Sequence, residues 1–168
     1  MAMENGIYWV NGPWKGRLGV AARPRGGDWL DQEFAKWQRE NINTVVSLLT
    51  PEEETELSLE QEAADAKRHG MQFISIPVQD RQVPDSERTI EVLIHQLDAT
   101  LSAGRNVLVH CRQGVGRSGL VAACLLINRG STADEAVEEL SKVRKAQVPE
   151  TAEQRRWIDR YASRVIIH

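Results

Sequence analysis

The stretch Asn106-Val107-Leu108-Val109-His110-Cys111-Arg112-Gln113-Gly114-Val115-Gly116-Arg117-Ser118-Gly119-Leu120 decides how the rest of this 168-residue chain is read. Asn106 to Val109 is an apolar run short enough for a buried strand. Leu120 to Asn128 is an alanine- and leucine-rich segment that reads as a buried helix. A strand, a glycine-bearing loop and a helix in succession form a device for holding an anion. Successive backbone N–H groups in such a loop make a concave nest, and the helix N-terminus adds about half a positive charge. The same field favours the thiolate, which is the reactive form of cysteine. Cys111 at the mouth of such a loop therefore makes a nucleophile and an oxyanion cradle together.

Three other readings compete. In the plainest, the stretch is a structural strand–turn–helix crossover and Cys111 is a small buried hydrophobe. A nucleotide-binding P-loop is a second, but against G-x-x-x-x-G-K-[ST] the stretch has Cys111 for the first glycine and Arg117 for the lysine. A sulfur-transfer loop of the rhodanese type is a third. Such loops carry a cysteine and an arginine, with one residue fewer between them, and need no acid elsewhere.

His110-Cys111, five intervening residues and Arg117-Ser118 match the signature of the cysteine-based protein-tyrosine phosphatases. The chain resembles their dual-specificity branch, and within it the cyclin-dependent-kinase-associated phosphatases, from about Trp9 to Tyr161. The resemblance is closest from Ile76 to Asp85 and from Leu108 to Leu126. It implies an α/β fold, hydrolysis of phosphotyrosine, with phosphoserine or phosphothreonine as further substrates, and a phosphocysteine intermediate. Each fixed position then has a physical task. Cys111 attacks phosphorus as a thiolate. Arg117 forks onto two phosphoryl oxygens, which a planar guanidinium can do and an ammonium cannot. Backbone N–H groups across Arg112, Gln113, Gly114, Val115, Gly116 and Arg117 bind the equatorial oxygens. Ser118 can donate its hydroxyl to the Cys111 sulfur as it departs, the competing role being an ordinary hydroxyl at a helix start.

Adjacent residues on a strand point to opposite faces, so the His110 imidazole does not share a substrate with the Cys111 thiol. The resemblance gives it a supporting role behind the loop. The loop contains no acid. In the dual-specificity group the general acid follows a Pro-x-x pattern upstream, which selects Asp80 in Pro77-Val78-Gln79-Asp80. Asp85 is the rival, although directly before Ser86 and Glu87 it looks like a helix N-cap. Gln154 is either the N3 partner of a Thr151 capping box or, by resemblance, the residue that positions the hydrolytic water. A glutamate in the loop after the strand Thr44 to Leu49 orients the signature arginine in many relatives, and Glu52, Glu53, Glu54 and Glu56 are all candidates. Arg112 is the unusual charge. Lipid phosphatases of this class often carry two basic loop residues, but Val115 occupies the second position here, so phosphoinositides or another polyanion are the second substrate reading.

Around this stretch the chain reads as alternating strands and helices. Ile7 to Val10 and Leu18 to Ala21 form a strand pair around Gly12-Pro13. Trp29 to Glu40 is an amphipathic helix with Trp29, Leu30, Phe34 and Trp37 on one side. Thr44 to Leu49 is a β-branched strand broken at Thr50-Pro51 and followed by an acidic turn. Ser58 to His69 reads as a helix opened by a Ser58–Gln61 capping box, and Met71 to Pro77 as a strand. Ser86 to Ala103 is a helix with Ile90, Leu93, Ile94, Leu97 and Leu101 at helical spacing. Boxes at Thr132–Glu135 and Thr151–Gln154 open the last two helices. The pattern predicts an α/β domain over residues 1–168, with a mostly parallel sheet of about five strands flanked by helices and the site at the strand ends.

Composition narrows the class. The net charge of −3 argues against a general nucleic-acid binder. Lys15, Arg17, Arg23 and Arg25, with no acid among them, are either a solvated loop or a rim attracting phosphorylated substrate. Two cysteines, Cys111 and Cys124, without paired spacings fit a reducing, cytoplasmic setting. No signal peptide, membrane span or prenylation cysteine is evident. His69, His95, His110 and His168 show no ligand spacing, so neither metal nor cofactor is expected. A phosphorylated protein is the expected partner, and a monomer the expected state.

Overall fold

In the computed structural model, which describes residues 3–4 and 6–167, the apolar run before Cys111 is an inner strand. The sheet contains β1 (Met3–Glu4), β2 (Ile7–Val10), β3 (Leu18–Ala21), β4 (Ile42–Ser47), β5 (Gln72–Ser75) and β6 (Asn106–His110). Their order is β1-β2-β3-β6-β4-β5. β6 runs parallel to both neighbours, β3 and β4, and β5 is parallel to β4. β2 and the two-residue β1 extend the β3 edge in antiparallel pairs. The mostly parallel sheet expected from the sequence therefore forms, widened by β1.

Val107 and Val109 on β6 join one apolar core, and Leu108 joins the other on the opposite face. This is the period-two alternation of a strand covered on both sides. The larger core is closed by α4 (Glu87–Ser102), α5 (Arg117–Asn128), α6 (Ala133–Arg144) and α7 (Ala152–Ile167). The smaller is closed by α1 (Leu30–Arg39) and α3 (Glu62–Arg68). α5 is buried on every side from Arg117 to Ile127. Each fully buried Leu or Val contributes roughly 1.5–3 kcal/mol by leaving water, which anchors the helix whose N-terminus closes the loop.

Four local expectations change. Thr50-Pro51 does not end in an acidic turn but starts α2 (Pro51–Glu56): Thr50 is the N-cap, Pro51 occupies the first turn, and Glu53 completes a capping box. The Ser58–Gln61 box does not form. Ser58 is left-handed at φ 57°, and α3 begins at Glu62 behind a Gln61 that makes no side-chain cap. Ser86, not Asp85, caps α4, its side chain accepting from the Thr89 N–H. Trp29 lies outside the packed face of α1, 52% exposed, under the Arg25 guanidinium at 4.5 Å. The boxes at Thr132 and Thr151 form as read.

Candidate active site

The parallel register places the ends of β3, β4 and β6 side by side, with Ala21 and Ser47 opposite His110. The chain leaves β6 there, turns through residues 111–116 and enters α5 at Arg117. Cys111 is 2% exposed. Its Sγ lies 3.1 Å from Ser118 Oγ and accepts from the Gly114 N–H at 3.3 Å. Gly114 has φ +74°, and a Cβ there would fall 2.5 Å from the Ala21 backbone. No larger residue can turn the loop this close to β3. The outward carbonyls are held from other elements. Arg112 O accepts from the Arg23 N–H at 3.2 Å, and Gln113 O and Gly114 O accept from Arg144 at 3.1 and 2.8 Å.

Arg117 is the largest of the fully buried side chains. Glu53 receives it in a fork, Nη1 to Oε1 at 2.7 Å and Nη2 to Oε2 at 3.0 Å. Nη1 also donates to Val78 O at 2.8 Å, and Nη2 reaches Asp80 Oδ1 at 3.1 Å. Nε is buried without a hydrogen-bond partner among the described residues. Burial disfavours the guanidinium charge, but Glu53, Cys111 and Asp80 outweigh it and raise its pKa further. Burial likewise pushes the Glu53 carboxyl up, but the Arg117 and Thr50 hydrogen bonds prevail and hold it below the usual carboxylate value. Of the four glutamates open in the sequence, Glu53 is thus the one on Arg117.

Behind the loop, His110 is fully buried against Glu62, Nε2 to Oε2 at 2.8 Å, with the Trp37 ring 6.1 Å away. It faces the smaller core while Cys111 belongs to the larger, as strand alternation requires. Glu62 has no sequence signal: it sits 48 residues upstream in an ordinary polar helix start. Asp80 is brought to Arg117, and Asp85 lies exposed beyond Pro84. Gln154 is buried and does its capping work, Oε1 accepting from the Glu150 and Thr151 N–H groups. Its Nε2 also donates to Gln82 O at 3.1 Å, tying α7 to the Asp80 loop. A Cβ at Gly116 would approach the Gln154 amide at 3.0 Å, so Gln154 also borders the loop.

Arg112 is turned toward α2, donating to Glu56 at 3.2 Å, with Glu53 3.9 Å away. Lys15 and Arg17 precede β3 and so lie at the opposite end of the sheet from the loop. Only Arg23 and Arg25 of that basic stretch stand at the strand ends that carry the site, and Arg25 is paired with Glu33. Cys124 lies within the α5 core, where burial pushes its thiol pKa far up. It lies six residues past Ser118, about 9 Å further along the helix, and both cysteines are free thiols. Among the described residues no cluster of His, Cys, Asp or Glu is arranged for a metal ion.

The Cys111 thiol thus accepts from the Gly114 N–H at the start of a helix whose first residue, Arg117, is clamped by Glu53 and paired with Asp80 on a separate loop. Residues 19–131 match a family model described as a polymorphic toxin system DSP-PTPase phosphatase. The chain belongs to this family. It is 31% identical over 94 residues to the cyclin-dependent kinase inhibitor 3 of Homo sapiens, and equally to that of Sus scrofa, covering 55% of this chain and 44% of each relative. The chain thus matches less than half the length of these curated relatives. Among solved structures, a kinase-associated phosphatase with serine in place of its catalytic site cysteine superposes with a TM-score of 0.85, 21% identity and 96% coverage of both chains. Tk-PTP in its active form gives a TM-score of 0.80 at 24% identity, over 96% of this chain and 99% of its own. The family membership and the fold agree with the dual-specificity resemblance read from the signature.

Proposed function

We propose that this chain is a phosphoprotein phosphatase that hydrolyses phosphotyrosine, and phosphoserine or phosphothreonine as well, through a phosphocysteine intermediate on Cys111. One observation carries the reading: Arg117 is gripped by Glu53, holds Asp80 with the same guanidinium, and starts the helix whose next residue, Ser118, touches the Cys111 sulfur. Nucleophile, anion clamp and acid therefore converge on one point. Kinship with a protein whose catalytic site residue is a cysteine supports the choice of Cys111.

In the first step the thiolate attacks phosphorus, the P–O ester bond breaks and Asp80 gives its proton to the leaving oxygen. Arg117 takes two phosphoryl oxygens with Nε and Nη2, which releases Asp80 for that work. The backbone N–H groups from Arg112 to Arg117 hold the equatorial oxygens, where charge spreads in the transition state. In the second step water attacks phosphorus, Asp80 takes its proton, and the P–S bond breaks toward a sulfur hydrogen-bonded by Ser118. Gln154, which borders Gly116 and ties the Asp80 loop, is assigned the positioning of that water. His110 on Glu62 supports the loop from behind.

Phosphoinositides are the second substrate reading. They are disfavoured because Arg112 already faces the carboxylates of Glu56 and Glu53, and Val115 leaves the other position uncharged. A rhodanese-like sulfurtransferase would have no use for the Asp80–Arg117 pair, and a phosphate-binding module without turnover would have no use for the Ser118–Cys111 contact. Residues 1–168 act as a single catalytic domain, as a monomer, in a reducing cytoplasmic setting that keeps both thiols free, without cofactor or metal, nucleic acid or membrane. No helix among the described residues is long and apolar enough to cross a membrane. The test is hydrolysis of p-nitrophenyl phosphate in chelator with vanadate inhibition, run beside thiosulfate:cyanide turnover and a panel of phosphopeptides and phosphoinositides. Vanadate-sensitive hydrolysis with preference for phosphopeptides is expected. Sulfur transfer without ester hydrolysis would overturn the reading.

A further inference from the structure

The loop's inward N–H groups require outward carbonyls, and those carbonyls need donors from outside the loop. Two consecutive carbonyls, Gln113 O and Gly114 O, are satisfied by one side chain from another element. Arg144, in the last turn of α6, donates Nη2 to the first at 3.1 Å and Nε to the second at 2.8 Å. Its guanidinium lies 3.9 Å over the Tyr8 ring of β2, which fixes the plane of the fork.

The peptide group that joins Gln113 to Gly114 has its carbonyl on Arg144 and its N–H on the Cys111 sulfur, 3.3 Å away. A cation on the oxygen end of a peptide dipole aligns that dipole and strengthens its N–H as a donor. The same charge stands behind the next peptide, whose Val115 N–H belongs to the oxyanion nest.

We propose that Arg144, held flat by Tyr8, is a positioning residue for the nucleophile: it orients and polarises the peptide that donates to the Cys111 thiolate. This rests on the phosphatase reading of the site for its purpose, but not for its measurement. Lysine at this position supplies charge to one carbonyl at most, because it lacks the planar fork. Tyr8→Leu leaves both hydrogen bonds possible and removes only the surface that fixes them.

The experiment follows alkylation of Cys111 by iodoacetamide against pH in the intact chain. Peptide mapping separates Cys111 from Cys124. Vanadate binding is measured in parallel, and thermal unfolding reports folding. In Arg144→Ala the pH midpoint of alkylation should rise by roughly half to one unit and vanadate should bind about tenfold more weakly, the worth of one charge-assisted hydrogen bond. Arg144→Lys should fall between that variant and the wild type, and Tyr8→Leu should shift in the same direction by less. A folded Arg144→Ala that alkylates along the wild-type curve overturns the proposal. If that variant does not fold, Arg144→Lys with the wild-type curve overturns it. Alkylation involves no ester, so a wild-type chain that fails on p-nitrophenyl phosphate contradicts the phosphatase reading and leaves this result to be judged alone.

Discussion

Cys111 is 2% exposed, and its loop is tied down by Arg23, Arg144, Ser118 and its own Gly114 amide. Asp80 has half its side chain in solvent, at 51%. From Asp80 on, the described residues show three polar contacts to other elements, Arg117 to Asp80, Gln154 to Gln82 O and Arg81 to Glu150, while Val78 just before is held by Arg117 and by Leu48 O. Donors that stabilise a transition state work best when they need no reorganisation, so the thiol loop is braced from several elements. In the proposed mechanism Asp80 meets leaving groups of different shape and then a water, and it leaves Arg117 as phosphate arrives. A lightly tied, solvated loop suits that task.

The largest effect should come from the braced side. Cys111→Ser should lose at least roughly four orders of magnitude in turnover, since serine at that site offers no thiolate, while still binding phosphorylated peptide. Appreciable hydrolysis by that variant would remove the thiol from the account. On the lightly tied side, Asp80→Asn should cost roughly 10²–10⁴-fold on aryl phosphates with poor leaving groups and far less on those with good ones. A plot of rate against leaving-group basicity checks it, and equal losses would put the acid on another residue.

Glu53→Gln probes the bracing itself. Removing one partner of a buried ion pair typically costs about 3–5 kcal/mol, readable by chemical denaturation at near-neutral pH. The sign with pH follows from the lowered Glu53 pKa. The carboxylate's stabilisation is fully present above its ordinary value of 4.5 and is lost as pH falls through the lower folded value. The wild type should lose stability across that acid window and Glu53→Gln should show a flatter profile. Parallel profiles would mean that Glu53 does not carry the Arg117 charge. Smallest is Ser118→Ala, at about tenfold. It should slow breakdown of the intermediate more than its formation, giving a larger pre-steady-state burst of p-nitrophenol. An unchanged burst with a slower first step would leave Ser118 only its place at the start of α5.

The two regions were also unequally legible in the sequence. The thiol loop is contiguous, so Cys111 in a glycine-bearing nest could be read from spacing and chemistry, the tasks of Arg117 and Ser118 came with the signature resemblance, and strand alternation set His110 apart from Cys111. Asp80 needed the family pattern, because an exposed acid after Pro77-Val78-Gln79 has no periodicity to mark it. The supports were hidden for a physical reason. Glu53, Glu62 and Arg144 lie 64, 48 and 30 residues from their loop partners, and each looks like an ordinary surface charge until the helices fold back. Glu53 had a signal that was available, the Thr50-x-x-Glu53 capping box, but Pro51 reads more readily as a breaker than as a first-turn residue. Arg112 gains an explanation only when α2 is seen beside it.

The central claim is that Cys111 becomes phosphorylated during turnover. Acid quench of the enzyme within milliseconds of mixing with p-nitrophenyl phosphate, followed by peptide mass spectrometry, tests it directly. A phosphoryl group is expected on the Cys111 peptide, absent from Cys111→Ser and more abundant in Ser118→Ala. Steady hydrolysis with no label on Cys111 in any of the three proteins would contradict it.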